Sequence, residues 1–167
     1  MPKVYLASDH AGFELKGKLV AYLGTLGYAV TDLGAAALAP DDDYPDYITP
    51  CAQKVAQENT HHAVAQTFGI ILGGSGQGEA MAANRVNGAR TAVFYGPVPL
   101  SVALARADEN PEDGYAIVRL AREHNDANLL SLGARFLKEE EAREAVRLFL
   151  ETPFPGDARH QRRLAKF

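Results

Sequence analysis

At 167 residues, 47% apolar and 23% charged, the chain has the length and composition of one soluble domain with a real core, which excludes a fibrous or disordered class. A formal charge of −4 supplies no basic face for nucleic acid, and no run reaches the roughly 18 apolar residues of a membrane span, so neither is an expected partner. The one cysteine, Cys51, excludes an internal disulfide and a cysteine-based metal cluster, and Asp9-His10 arrives before any signal-type apolar segment, which predicts a cytoplasmic protein.

In chain order, a short apolar run over residues 4–7 reads as a strand ending at Ser8-Asp9-His10. Phe13, Leu15, Leu19, Tyr22, Leu23 and Leu26 then recur at near-helical spacing up to Gly27, a helix stop. Residues 28–33 read as a second strand. The acidic loop Asp41-Asp42-Asp43-Tyr44-Pro45 follows, then a helix over about 47–58. Residues 68–72 form a continuous apolar run with two isoleucines, which fits a strand buried on both faces. A helix is predicted over 77–84, strands over 89–95 and 128–132, a helix ending near His124, and another over 138–151. Residues 96–114, with Pro97, Pro99 and Pro111, predict a surface excursion. The tail, 153–167, gathers Arg159, His160, Arg162, Arg163 and Lys166 in an otherwise acidic protein and is taken as part of the same domain as residues 1–152. Strands alternating with helices imply right-handed crossovers and a parallel sheet, hence an α/β three-layer sandwich.

Ligands of such sheets sit beyond the carboxyl ends of the strands. That rule selects Asp9-His10 and the turn Gly73-Gly74-Ser75-Gly76-Gln77-Gly78-Glu79 as one candidate site. Glycines let backbone N–H groups converge on an anion or a developing oxyanion, and a helix N-terminus adds partial positive charge. Three known turns fail on spacing. A P-loop needs Lys after its last glycine, where Glu79 stands; a dinucleotide fingerprint from Gly74 needs glycine at 79; a hydrolase elbow on Ser75 needs glycine at 77. His61-His62 points to no metal, because adjacent residues diverge on a helix and no further ligand completes a set.

Several segments together resemble the ribose-5-phosphate isomerase B and galactose-6-phosphate isomerase family, in family order and over nearly the whole chain. They are Ser8-Asp9-His10-Ala11-Gly12-Phe13-Glu14-Leu15-Lys16, Asp43-Tyr44-Pro45, the glycine turn with Ala82-Ala83-Asn84-Arg85, Arg122-Glu123-His124-Asn125-Asp126-Ala127-Asn128 with Gly133-Ala134-Arg135, and Arg159-His160-Gln161-Arg162-Arg163. The resemblance implies a five-stranded, doubly wound parallel sheet. It also implies a homodimer whose active sites are shared between subunits, in some members paired into tetramers, and no cofactor. Many members carry a cysteine base where this chain has Gly73. The turn here resembles the branch in which a glutamate of the following helix is the base, which assigns that role to Glu79, with Ser75 replacing a threonine. Cys51 matches no active-site motif. The stretch 96–114 is longer than the usual family connection.

Aldose–ketose isomerisation needs a ring opened, a carbon proton removed and an enediolate stabilised. The resemblance assigns Glu79 to the proton and the turn at Gly74, Ser75, Gly76 and Gly78 to the oxyanion. His124 or Asp9 opens the ring, an alternative the sequence leaves open. Arg135, Arg159 and Arg163, with His10, suit the phosphate, arginine's planar fork matching two oxygens. Tyr44 and Asn125 are expected on sugar hydroxyls. The expected reaction is conversion of D-ribose 5-phosphate to D-ribulose 5-phosphate. A six-carbon allose or galactose 6-phosphate, a non-catalytic sugar-phosphate sensor, and a serine hydrolase built on Ser75 and His124 are the alternatives.

Overall fold

A computed structural model describes residues 1–101, 110 and 112–166. Strands run over Lys3–Ser8 (β1), Ala29–Asp32 (β2), Thr67–Gly73 (β3), Thr91–Phe94 (β4) and Leu129–Gly133 (β5). Helices run over Phe13–Thr25 (α1), Pro45–Asn59 (α2), Gln77–Ala83 (α3), Ala116–Asn125 (α4), Glu139–Glu151 (α5) and Ala158–Leu164 (α6). The five strands form one all-parallel sheet in the order β2-β1-β3-β5-β4. The expected three-layer α/β sandwich is what the chain adopts.

Strand composition explains the order. Every residue of β3 is buried, as a central strand covered on both faces requires. The edge strands β2 and β4 are only partly buried, and each pairs on one side alone, so their ladders stop short of the expected 28–33 and 89–95. On one face, Leu19 and Leu23 of α1, Val118 and Ala121 of α4 and Val146 and Phe149 of α5 pack on Val4, Leu6, Ile70, Leu72, Leu130 and Leu132. On the other, Ile48, Cys51, Ala52 and Val55 of α2 and Ala83 of α3 cover Tyr5, Ala7 and Ile71. Each fully buried leucine, isoleucine or phenylalanine stabilises by roughly 1.5–3 kcal/mol, so these two layers hold the sheet.

The crossovers obey one hand. Steps β1 to β2 and β4 to β5 move one way across the sheet with α1 and α4 on the first face. Steps β2 to β3 and β3 to β4 move the other way with α2 and α3 on the second. Cys51 is a fully buried core residue of α2, and burial pushes its thiol up to about 12. Pro45 opens α2 two residues before the expected start, where a missing N–H is harmless. Of the excursion expected over 96–114, residues 102–109 and 111 lie outside the described residues. No helix among the described residues is long and apolar enough to cross a membrane.

Candidate active site

From neighbouring positions in the sheet, β1 leaves for α1 on one face and β3 leaves for α3 on the other. The two loops part at the carboxyl edge and open a crevice, the topological switch point at which such sheets bind ligands. A cleft of about 460 Å³ lies there, lined by Asp9, His10, Tyr44, Ser75, Glu79 and Arg135 among others. A larger groove of about 770 Å³ lies along Asn59, Asn84, Arg90 and Asp126. It holds none of the glycine turn, whereas the smaller cleft gathers Asp9, His10, Ser75, Glu79 and Arg135 and is the candidate site.

The glycine turn is shaped by β5. The carbonyl of Gly73 accepts from the Ala134 N–H at 2.8 Å, and that of Gly74 from the Arg135 N–H at 3.1 Å. In a trans peptide the N–H opposes the C=O. The amides of Gly74 and Ser75 are therefore turned away from β5, to the side on which β1 lies. Ser131 of β5 donates its hydroxyl to the Gly76 carbonyl at 2.6 Å. Gly76 has φ +75, a left-handed conformation, and a Cβ there would stand 2.9 Å from the Leu132 carbonyl carbon. Ser75 Oγ accepts from the Gln77 N–H at 3.3 Å. Arg135 packs its guanidinium against Gly74, and the Tyr44 hydroxyl lies against Gly78.

Glu79 is only 4% exposed although it sits in the first turn of α3. Its carboxylate lies over Gly73, so any side chain at 73 would fall on it. Absence of a side chain at one position and presence of a carboxylate at the other are thus one feature. Burial raises the Glu79 pKa, its own backbone N–H opposes that, and the charge of Asp9 adds to it. Asp9 is itself buried, its Oδ1 accepting from the N–H groups of Ala11 at 3.0 Å and Gly12 at 3.4 Å.

Asp42, which the sequence does not single out, stands behind His10 of the cleft. Its Oδ1 accepts from the His10 backbone N–H at 3.0 Å and lies 2.7 Å from His10 Nδ1. Burial pushes the Asp42 carboxyl up, but the His10 amide, the His10 ring and the Tyr47 hydroxyl outweigh it and hold it below the ordinary value. An ionised carboxylate only accepts, so Nδ1 of His10 carries the proton. Nothing within the run Asp41-Asp42-Asp43 distinguishes the middle residue by type. Asp9, His10 and Asp42 bring ligand-type atoms within 4.8 Å of one another, but the Nδ1 that would face a metal is engaged by Asp42.

The remaining expected residues lie elsewhere. His124 and Asn125 end α4, which leads directly into β5, so they stand at the amino edge of the sheet. Arg159 and Arg163 are exposed on α6, which packs against that end of α4. The five residues of β5, at about 3.3 Å each, put roughly 15 Å between this group and the glycine turn. Within one chain, Asp9, His10, Tyr44, Gly74, Ser75, Gly76, Gly78, Glu79 and Arg135 come together, and His124, Asn125, Arg159 and Arg163 do not join them. The same separation removes a hydrolase pair of Ser75 with His124 in one chain.

The amino-edge group is nonetheless built with care. Asp126, at φ 41, ends α4 and bridges buried Arg122 (Nη1 to Oδ1, 2.8 Å) and Arg90 (Nη2 to Oδ2, 2.8 Å). It also accepts from the Ala65 N–H at 3.1 Å. Arg122 donates to the Ala127 carbonyl at 2.6 Å and lies over the Phe68 ring. Arg90 Nε donates to the Asn125 carbonyl at 3.1 Å, which fixes the turn that carries His124 and Asn125.

The profile of the Ribose/Galactose Isomerase family matches residues 4–111 and 114–167. Ribose-5-phosphate isomerase B of Mycolicibacterium paratuberculosis is 40% identical over 162 residues, 97% of this chain and 87% of the relative. The crystal structure of ribose-5-phosphate isomerase B from Mycoplasma genitalium with bound ribulose-5-phosphate superposes with a TM-score of 0.80 at 34% identity, covering 98% of this chain and 92% of that one. The enzyme from Thermotoga maritima gives 0.80 at 38%, with 99% and 96% covered. Fold and kinship define the class as aldose–ketose isomerase. The chain belongs to the ribose/galactose isomerase family, with the ribose-5-phosphate isomerase B enzymes among its relatives.

Proposed function

We propose that this protein interconverts D-ribose 5-phosphate and D-ribulose 5-phosphate in the cytoplasm through an enediolate, without metal or organic cofactor. The observation that carries the reading is the buried Glu79 carboxylate lying over Gly73, beside amides that β5 turns toward the cleft. Glu79 takes the proton from C2 of the open-chain aldose. The electron pair moves into the C1–C2 bond and the carbonyl π pair onto O1, where the Gly74 and Ser75 amides stabilise the oxyanion. A proton moves from the C2 hydroxyl to O1, and the Glu79 carboxyl, its proton exchanged with water while the enediolate persists, delivers a proton to C1, so atoms and electrons balance. Burial strengthens Glu79 as a base relative to a solvated carboxylate, which favours the abstraction.

His124 moves the proton that opens the furanose ring, with Asp9 as the competing candidate. His10 and Arg135 hold the phosphate from one side. The amino-edge group of a second copy supplies the rest: its His124 and Asn125 at the sugar, its Arg159 and Arg163 at the phosphate. A two-fold homodimer then has two shared sites, since an isologous contact places each edge on the other twice. What supports this arrangement is the division of the family's site residues between the two edges of one sheet.

The test is turnover of D-ribose 5-phosphate by the purified protein in EDTA, with allose and galactose 6-phosphate alongside. Production of D-ribulose 5-phosphate is the expected result. Turnover of the six-carbon sugars alone would reassign the substrate, and binding without turnover of any would leave a sensor.

A further inference from the structure

Between the two arginines assigned to the phosphate, α6 carries a histidine that no step above uses. His160 is 2% exposed, although α6 is a short, basic helix whose Arg159, Gln161, Arg162 and Arg163 are exposed. Its imidazole lies flat on that of His124, with ring centroids 4.3 Å apart and planes 15° apart. Its Nε2 stands 3.0 Å from Nε of Arg159. A guanidinium N–H only donates, so His160 Nε2 accepts, and the ring is neutral with its proton on Nδ1. Burial, then the neighbouring His124 and Arg159, favour that neutral form. An apolar ring would fill the same space without the cost of burying a polar one, so the nitrogen facing Arg159 calls for a role.

Resting on the roles proposed for His124 and Arg159, we infer that His160 is a positioning residue for both. Its flat face sets the plane of the ring-opening imidazole, and its Nε2 orients the Arg159 guanidinium toward the phosphate. One buried side chain thereby aligns the groups that act at opposite ends of the sugar phosphate. Two substitutions separate the two contacts. His160→Phe keeps a flat ring on His124 and removes the acceptor, whereas His160→Gln keeps an acceptor near the Nε2 position and removes the ring.

Steady-state kinetics on D-ribose 5-phosphate, inhibition by inorganic phosphate and the unfolding midpoint of each variant make the test. His160→Phe is expected to raise KM and the phosphate inhibition constant together by about tenfold, the loss of one charge-assisted hydrogen bond, with the effect confined to binding. His160→Gln is expected to lower kcat about tenfold while KM and phosphate inhibition stay within about twofold. Losses of kcat and KM that are alike in both variants and track a lowered unfolding midpoint would overturn the inference, as would two variants indistinguishable from wild type. Should the wild type show no turnover, the isomerase reading itself falls. His160 is then judged by affinity for inorganic phosphate, which His160→Phe must weaken and His160→Gln must leave in place.

Discussion

Glu79 combines two demands that oppose each other. The proposed role as base needs it ionised, and its burial disfavours the charge. Glu79→Gln should lower kcat by about 10²–10⁴ while substrate affinity stays within about threefold, read by steady-state kinetics and calorimetric binding. The same change should stabilise the fold around pH 7. With the folded pKa above the unfolded one, stability is fully present below the unfolded value and declines as pH rises through the folded value. A glutamine cannot ionise and escapes that decline, so its advantage in unfolding midpoint should vanish toward about pH 4. A wild type as stable as the variant at both pH values would contradict the burial argument. Gly73 belongs to the same argument, because its missing Cβ is the volume the carboxylate fills. Gly73→Ala and Glu79→Ala, combined, should cost less than the sum of their separate destabilisations, by about 0.5–3 kcal/mol in a double-mutant cycle. At this scale the family resemblance singled out Glu79, and the fold buries its carboxylate over Gly73. Asp42 was not legible in the sequence, since only the folded path of the 34–44 loop singles out the middle of three aspartates.

Elements hold the two edges of the sheet by different means. At the carboxyl edge, β5 and the two residues that follow it grip the carbonyls of the glycine turn, and Gly76 adopts a φ that other residues resist. At the amino edge, Asp126 neutralises Arg122, which is 2% exposed. Replacing Asp126 by Asn leaves that cation buried without its partner, so Asp126→Asn should destabilise by about 3–5 kcal/mol in urea unfolding. A loss under about 1 kcal/mol would mean that the pair is solvated. The five strands and the helices between them could be read in advance, since apolar runs and near-helical spacing record burial directly. The ends of β2 and β4 could not, because where an edge ladder stops depends on its single neighbour. Helix α6 also left little trace: its burial rests on His160, a polar residue that no apolar periodicity reveals.

At the scale of the whole molecule, the topology divides the residues that the family resemblance names between the two edges of the sheet. A helix that leads into a strand ends at the amino edge, whereas a turn that leaves a strand lies at the carboxyl edge. His124 and Glu79 are therefore divided by the length of β5. Sharing between copies gives a quantitative expectation. Glu79→Gln and Arg163→Ala, each almost inactive alone at low substrate, should recover about a quarter of wild-type activity when mixed and reassociated in equal amounts. Half of the dimers are then hybrids, and each hybrid has one intact site. No recovery on verified subunit exchange would place both residues in one copy's site.

The central claim is proton transfer through an enediolate at the Glu79 cleft, and proton NMR of the reaction in deuterated water with EDTA present addresses it most directly. D-ribose 5-phosphate should become D-ribulose 5-phosphate carrying solvent deuterium at C1. A product formed with C1 wholly protonated would mark a hydride shift, and no product at all would remove the isomerase reading; either result would contradict the account.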